Sequence, residues 1–442
     1  MPQAGKHDVA QLIDQSPLGR YQIRAIVLCA LVALLDGFDT QAIAFVAPVI
    51  AAKWSRDVST FGPIFAAGLL GLMFGALALG PAADRIGRKR VIIASTLWFG
   101  TFSILTVLAT SIEALLAYRF LTGLGLGGAM PNIIALTSEY APRRIRATLV
   151  TVMFCGFPLG AVLGGAASSQ LIVAFGWKSV FLLGGVLPLL LVPALVIALP
   201  ESIRYLVGRG GDQRKVLAAV QCIDTGKRYD ETDVFVVPEE RLEGVPVKHL
   251  FRDGRTVGTM LLWIVFFSNL LILYFLINWL PSVLQQAGLP IERAIIATVL
   301  LNAGGIIGGL LLGRFVDKRG PSGVLVMSYA LAALFVAAIG IIGSTVGAIM
   351  ATVFVAGFFV IGTQFCMNAL AASSYPTSVR ATGVGWALGI GRIGSVVGPV
   401  IGGLLLSLGW SSTTLFLAVA VPALVSAIAV ALLKTQTRAG FA

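Results

Sequence analysis

The chain has 442 residues, of which 57% are hydrophobic and only 12% are charged, and its net charge is +12. Because an average soluble domain carries roughly 25% charged residues, this composition excludes an ordinary soluble globule. The basic residues lie in short turns between apolar stretches and form no single patch, which argues against a nucleic-acid-binding protein and is typical of the loops of a membrane protein.

Histidine and cysteine are too few and too scattered for a metal site or a disulfide framework. The two His and four Cys show no CxxC or HExxH spacing, so no metal is expected. The chain has no motif for a catalytic nucleophile and no GxxxxGK[ST] phosphate loop, which argues against an enzyme and against an ATP-driven pump. Residues 1–21 are polar and lack a cleavage signal, so we expect a cytoplasmic segment there and no removable signal peptide.

Apolar stretches of about 20 residues, the length that crosses a bilayer, occur twelve times. They predict an all-α membrane protein whose twelve transmembrane helices form two six-helix bundles, at 22–199 and 257–434. Residues 200–256 are expected to be a linker with one or two surface helices, and 435–442 a short tail. The predicted spans are 22–50, 61–83, 90–110, 113–138, 147–173, 178–199, 257–285, 293–315, 322–343, 346–372, 381–406 and 411–433.

The distribution of Lys and Arg predicts the orientation of these spans. The termini and the short loops on the side of the N-terminus carry sixteen basic residues, whereas the opposite loops carry four. Basic loops stay in the cytoplasm. Both termini and the linker are therefore expected to be cytoplasmic.

The first span contains two acids, Asp36 and Asp39, between apolar runs. An acid at the centre of a membrane-spanning helix costs roughly 2.5–3.5 kcal/mol or more, so it is expected to face protein or a water-filled cavity and to have a function. Residues three apart share one face of a helix. The two carboxylates cannot both ionise cheaply at such a site, so one of them is expected to carry a proton near physiological pH.

The two halves of the chain repeat each other. The segment 138–148, SEYAPRRIRAT, recurs as SSYPTSVRAT at 373–382, and a glycine ladder in span five recurs in span eleven. Such a six-plus-six repeat is typical of secondary transporters, whose halves rock around a central site. The alternative for the ladders alone is that glycine spacing permits close helix packing. The ladder residues are Gly156, Gly160, Gly164 and Gly165, and Gly394, Gly398, Gly402 and Gly403.

The loop after span two, GPAADRIGRKR at 80–90, resembles the signature loop of the major facilitator superfamily, and 313–320, GRFVDKRG, is a degenerate copy. Asp84 is expected to accept hydrogen bonds from the N-terminal amides of a neighbouring helix and to pair with an Arg, in contacts that break when the cytoplasmic side opens. The alternative is that the basic residues only fix the topology. The predicted conformational-switch residues are Asp84, Arg85, Gly87, Arg88, Glu139, Arg143, Asp317 and Arg380.

Further motifs resemble one branch of that superfamily. Arg119 opens RFLTGLGLG in span four, like the superfamily's fourth-helix motif, and PESIRYL at 200–206 resembles an element of sugar porters and their relatives. The DGFD of span one, together with Arg392 in span eleven, is similar to the aromatic acid:proton symporter family. The resemblance implies a major facilitator fold in a bacterial inner membrane. It also implies a monomer that uses the proton gradient, with no cofactor, to import small aromatic acid anions.

The resemblance also suggests roles for individual residues. Asp36 and Asp39 would carry the proton, and Arg119 or Arg392 would bind the carboxylate. The alternative for each Arg is that it serves only as the structural partner of Asp36 or Asp39. A carrier for a sugar, a dicarboxylate or a drug, and more remotely a transporter-like receptor, remain as alternatives. The candidates for the aromatic wall and the polar contacts are Phe38, Tyr274, Trp279, Phe365, Trp386, Asn278, Asn302, Gln364 and Asn368.

Overall fold

The computed structural model describes residues 6–208, 213–224, 227, 229–230, 233–236, 247–252, 255–342, 345–375 and 377–439. Most of these residues are helical. The elements in chain order are β1 (Lys6–Asp8), α1 (Val9–Gln15), α2 (Arg20–Lys53), α3 (Gly62–Ile86), α4 (Arg88–Thr106), α5 (Ile112–Tyr140), α6 (Arg146–Phe154), α7 (Gly156–Phe175), α8 (Lys178–Ala198), α9 (Ile203–Gly208), α10 (Gln213–Ile223), β2 (Val234–Val236), α11 (Thr256–Gln286), α12 (Ile291–Arg319), α13 (Pro321–Ile341), α14 (Val346–Ser374), α15 (Thr377–Ser407) and α16 (Ser412–Ala439).

The long helices coincide with the twelve predicted spans to within a few residues. Within the part of the chain that is described, eleven are long and apolar enough to cross a membrane, and α4 is the span that falls outside that group. Many of their large apolar side chains are exposed, such as Ile197 and Leu190. A bilayer accommodates such a surface, which water would not. The predicted all-α membrane fold is therefore confirmed.

Span five is one membrane-spanning segment, Thr148–Phe175, as the sequence predicted. Cys155 stands between α6 and α7 with helical backbone angles, and its N–H donates to the Thr151 carbonyl oxygen at 2.9 Å. Proline has no backbone N–H and cannot bond the carbonyl four residues before it. Pro158 thus leaves the carbonyl of Phe154 without its intrahelical donor, while the span continues past it.

The chain packs as two compact units. The first comprises Met1–Gly37, Leu70–Gly160 and Phe181–Arg241, and the second comprises Phe38–Leu69, Ala161–Val180 and Leu242–Ala442. These units follow spatial packing and divide α2, α3, α7 and α8. The two sequential bundles at 22–199 and 257–434 stay a prediction.

Residues outside the spans are more ordered than predicted. In the first unit β1 pairs in parallel with β2, with His7 opposite Phe235. His7 Nε2 lies 3.2 Å from the Asp233 carboxylate, and its ring meets that of Tyr229 edge-on at 5.2 Å. Burial and a hydrogen bond to the Asp224 carboxylate raise the pKa of Tyr229 above its ordinary value. The described parts of the polar N-terminus and the linker therefore pair with each other.

An apolar cluster supports this pairing. Val9 and Ile13 of α1 are buried together with Val216 and Val220 of α10. The predicted surface helices of the linker are α9 and α10, but α10 buries one whole face. The amphipathic pattern of α10 therefore packs against the N-terminal segment.

Candidate functional site

The centre of α2 holds the two acids that the sequence singled out. Asp36 and Asp39 are 1% and 0% exposed. The glycine between them lies against α7, and a Cβ at Gly37 would be only 1.9 Å from the carbonyl oxygen of Phe157. The glycine of the DGFD motif, Gly37, is therefore required because two helices approach closely at the level of the acids.

The ladder of α7 continues this contact along α2. A Cβ on Gly156 would lie 2.5 Å from the Ala30 carbonyl oxygen, and one on Gly160 would lie 1.8 Å from that of Leu34. In the second unit, a Cβ on Gly164 would lie 2.0 Å from the ring of Phe38. This ladder therefore permits α2 and α7 to pack closely, which is the role that the sequence analysis gave as the alternative for the ladders.

The second ladder does the same on α11. A Cβ on Gly394 of α15 would lie 2.2 Å from the Phe267 carbonyl oxygen, and one on Gly398 would lie 2.5 Å from that of Leu271. Spans one and five therefore pack as spans seven and eleven do. The sequence repeat corresponds to a repeated helix pair.

Arg119 is buried in α5, with 2% of its surface exposed. Its guanidinium carbon lies 5.6 Å from the centre of the Phe181 ring of α8, a distance at which a cation is attracted to an aromatic face. The neighbouring backbone is clamped to α3, since a Cβ on Gly71 would lie 2.1 Å from the carbonyl oxygen of Phe120. The position of Arg119 is therefore fixed by packing.

Arg392 is placed differently, since its side chain on α15 is only partly buried. The flanking glycines locate it along α11. A Cβ on Gly391 would meet Leu270 at 2.9 Å, and one on Gly394 would meet Phe267. Arg392 thus lies level with Phe266 and Phe267 of α11.

Three of the predicted substrate contacts are buried on α11. The Asn278 amide nitrogen donates to the Tyr274 carbonyl oxygen at 2.7 Å. The Trp279 indole N–H donates to the Pro399 carbonyl oxygen at 2.9 Å, and its ring meets Phe65 edge-on. In this structure Trp279 fills a packed contact with α3 and α15.

The remaining candidates are spread over several helices. Asn302 of α12 and Gln41 of α2 exchange two amide hydrogen bonds of 3.0 and 3.1 Å. Trp386 is 44% exposed and stacks on Trp263 with ring centres 5.8 Å apart. The Gln364 amide oxygen accepts from Asn269, Phe365 covers Gly309, and the Asn368 side chain lies outside the described residues. Their substrate roles stay predictions.

The first basic loop forms a polar network. Arg88 pairs with the Glu139 carboxylate and lies 3.5 Å from that of Asp84, which is largely exposed. The second oxygen of Glu139 accepts from the Ser202 hydroxyl at 2.6 Å. Glu201 accepts from the Lys89 backbone N–H at 3.0 Å, at the N-terminus of α4, where a negative charge is favourable.

This network assigns the amide-accepting role differently from the sequence prediction. That role was expected of Asp84, but in this network the carboxylate that accepts from a backbone N–H of α4 is that of Glu201. Gly87 permits this approach, because it has φ +102° and a Cβ there would lie 2.3 Å from Glu201 Oε2. Glu201 and Ser202 were missed as individual residues, although the PESIRYL motif contains both.

Among the residues that the structure describes, the second loop repeats the turn but not the network. Gly320, with φ +78°, stands between α12 and α13 as Gly87 stands between α3 and α4, yet a Cβ on Gly320 would meet nothing within 4 Å. Asp317 and Arg85 are exposed. Arg143 pairs with Asp14 of α1 at 3.3 Å. The Arg380 side chain lies outside the described residues.

Comparisons with known proteins identify the family. The Major Facilitator Superfamily profile matches residues 29–399. The chain is 42% identical to a 4-hydroxybenzoate transporter, PcaK, of Pseudomonas putida, over 96% of this chain and 95% of that protein. It is 41% identical to a gallate transporter of Pseudomonas putida, over 96% and 94%.

Solved structures agree on the fold. The inward open conformation of the xylose transporter XylE from E. coli superimposes with a TM-score of 0.72 at 18% identity, covering 92% of this chain and 95% of that one. Among the described residues, no group of three His, Cys, Asp or Glu could hold a metal ion. Because the family profile matches most of the chain and the relatives that match it almost from end to end are transporters, the chain belongs to the Major Facilitator Superfamily. It is a multi-pass membrane transporter and not an enzyme.

Proposed function

We propose that this transporter is a symporter that imports small aromatic carboxylates together with protons. The relatives that match almost the whole chain are named for 4-hydroxybenzoate and gallate, each of which carries a carboxylate on an aromatic ring. The observation that carries the coupling is the pair of buried carboxylates, Asp36 and Asp39, at the centre of α2.

The substrate carboxylate needs a cation within the membrane. Arg392 is suited to this role because its side chain is partly exposed, and a charged group inside a span faces water or protein and avoids lipid. Arg119 is enclosed and packs on Phe181. We therefore assign the substrate anion to Arg392, and we assign Arg119 the role of balancing the charge of the acids.

Proton coupling follows from charge balance in a low-dielectric site. When Asp36 or Asp39 takes up a proton, the interior of the protein loses one negative charge, and binding of the substrate anion at Arg392 becomes more favourable. Protons and substrate then move in the same direction, down the proton gradient. We further propose that both termini are cytoplasmic, that the protein works as a monomer in a bacterial inner membrane, and that it needs no cofactor.

Proteoliposomes test the coupling. Asp36→Asn and Asp39→Asn should lose accumulation of labelled 4-hydroxybenzoate driven by an imposed pH gradient, while at least one of them retains counterflow, which needs no net proton movement. Asp57→Asn is the matched control, because this exposed aspartate lies outside the spans and asparagine is also a good N-cap. If both core variants accumulate substrate like the parent, the coupling is wrong.

The same vesicles test the substrate class and the role of Arg392. Exchange of glucose or of a cationic dye, with none of 4-hydroxybenzoate, would contradict the aromatic-acid assignment. Arg392→Ala should weaken half-saturation by 4-hydroxybenzoate by about tenfold or more, since a charge-assisted contact contributes about 1.5–3 kcal/mol. Arg56→Ala, in the exposed loop after α2, is the control. Unchanged affinity in Arg392→Ala would move the anion site to Arg119.

A further inference from the structure

One buried amide in the second unit has an unused hydrogen-bonding atom. Asn269 of α11 is 1% exposed, and its Nδ2 donates to Gln364 Oε1 of α14. Its Oδ1 is buried and has no donor among the residues that the structure describes. Since nearly all buried polar atoms in proteins have partners, an exception needs an explanation.

The partner of Asn269 connects the buried amide to an accessible surface. Gln364 is partly exposed, and a polar side chain in the middle of a span faces protein or a water-filled path and avoids lipid. The two amides share one hydrogen bond. The pair therefore offers an acceptor on Asn269 and N–H donors on Gln364, side by side on neighbouring helices.

This amide pair lies about one helical turn from Arg392 along the second unit. A Cβ on Gly394 would meet the Phe267 carbonyl oxygen of α11, and one on Gly398 would meet that of Leu271, so Asn269 stands opposite the turn of α15 that follows Arg392, roughly 5 Å along the helix. Phe365, next to Gln364, lies over Gly309 of α12. A cation and an amide pair therefore stand about one turn apart in the second unit, with an aromatic ring beside the pair.

We propose that the Asn269–Gln364 pair binds a ring hydroxyl of the substrate and so selects hydroxylated aromatic acids over benzoate. This inference rests on the proposed function. A phenol both donates and accepts hydrogen bonds. Its O–H donates to Asn269 Oδ1, and its oxygen accepts from a Gln364 N–H. Benzoate has no hydroxyl and leaves the buried acceptor without a donor, which is how a polar pocket rejects an analogue that lacks one group.

The experiment compares two substrates in one set of vesicles. In the parent, half-saturation of counterflow should occur at about tenfold lower 4-hydroxybenzoate than benzoate, the effect of one net hydrogen bond. Asn269→Leu and Gln364→Leu should each weaken 4-hydroxybenzoate by about tenfold and change benzoate by less than about twofold. Asn132→Leu is the matched control, because that buried amide donates to the Gly128 carbonyl of its own helix.

The outcomes separate this inference from the proposed function. Equal losses for both substrates in the folded variants would make the pair a structural contact between helices and would overturn the inference. So would a parent that does not distinguish the two acids, although transport itself would then stand. A parent that exchanges neither acid would overturn the proposed function as well. Retained benzoate counterflow shows that a variant is folded. If neither variant folds, the comparison of 4-hydroxybenzoate with benzoate in the parent decides whether the hydroxyl is selected.

Discussion

Replacement of Gly37 by alanine tests the helix contact on which the site of α2 depends. The added Cβ would lie 1.9 Å from the Phe157 carbonyl oxygen and 2.8 Å from the Phe157 Cα. Carbon and oxygen ordinarily approach no closer than about 3.3 Å, so α2 and α7 must separate by about 1.4 Å. The obstacle is backbone, which cannot rotate away as a side chain can.

The energy of this change follows from two opposing effects. Overpacking typically destabilises by about 1–3 kcal/mol, whereas alanine stabilises a helix by about 1 kcal/mol relative to glycine. Since the helices interlock again at Gly160, we expect the upper end of the overpacking range and a net loss of about 2 kcal/mol. The shift also moves the two flanking acids, and a displacement of about 1 Å at a functional site can reduce a rate by 10²-fold.

Two measurements check Gly37→Ala. Thermal unfolding of the purified protein in detergent should show a lower midpoint, and pH-driven accumulation should fall strongly. Gly347→Ala is the control, because this residue lies near the start of α14 and a Cβ there meets nothing within 4 Å. It should leave the midpoint unchanged or raise it. A Gly37→Ala protein with the parent's midpoint and accumulation would refute the reasoning.

Three further predictions concern stability and are measured by the same thermal unfolding. Gly87→Ala should lower the midpoint more than Gly320→Ala. Both positions have positive φ, which costs an alanine about 1–3 kcal/mol, but only at Gly87 would the added Cβ also meet a carboxylate, 2.3 Å from Glu201 Oε2. Equal effects would contradict this. Gln41→Leu and Asn302→Leu should each destabilise by about 1–3 kcal/mol by leaving a buried amide unpaired, and the double variant should lose less than the sum of the two; strict additivity would argue against the reciprocal pair. Hydrogen bonds from the Ser59 side chain and backbone N–H lower the pKa of Asp57 below its ordinary 3.8, so Asp57→Ala should reduce the midpoint above about pH 4, and the difference should shrink as the pH falls through the lowered pKa; a pH-independent difference would refute the charge-dependent cap.

The sequence predicted the helices well because lipid imposes a simple rule on them. A span needs about 20 apolar residues, and this rule located every long helix to within a few residues. The internal repeat was also visible, since glycine recurs wherever two backbones approach closely. Span five also follows the rule, since Pro158 is tolerated within it, as proline often is in a membrane helix.

The candidate site was predicted only in part, because a sequence shows which residues are charged but not which side chains become hydrogen-bond partners. Charged residues are rare and costly inside a membrane span, and this alone singled out Asp36, Asp39, Arg119 and Arg392 as candidates. Hydrogen-bond partners depend on which helices become neighbours, and one sequence does not contain that information. For this reason Asn269 was not recognised as a candidate.

The pairing of β1 with β2 limits how early this part of the protein can finish folding. His7 and Asp233 are separated by 226 positions. At a synthesis rate of about 5–20 residues per second, the start of the chain waits about 10–45 s before its partner strand leaves the ribosome. During that interval the apolar face of α1 lacks the α10 residues that later cover it. β1 is therefore synthesised well before its partner, and it reaches its paired position only after the first six spans and the linker as far as β2 have been synthesised.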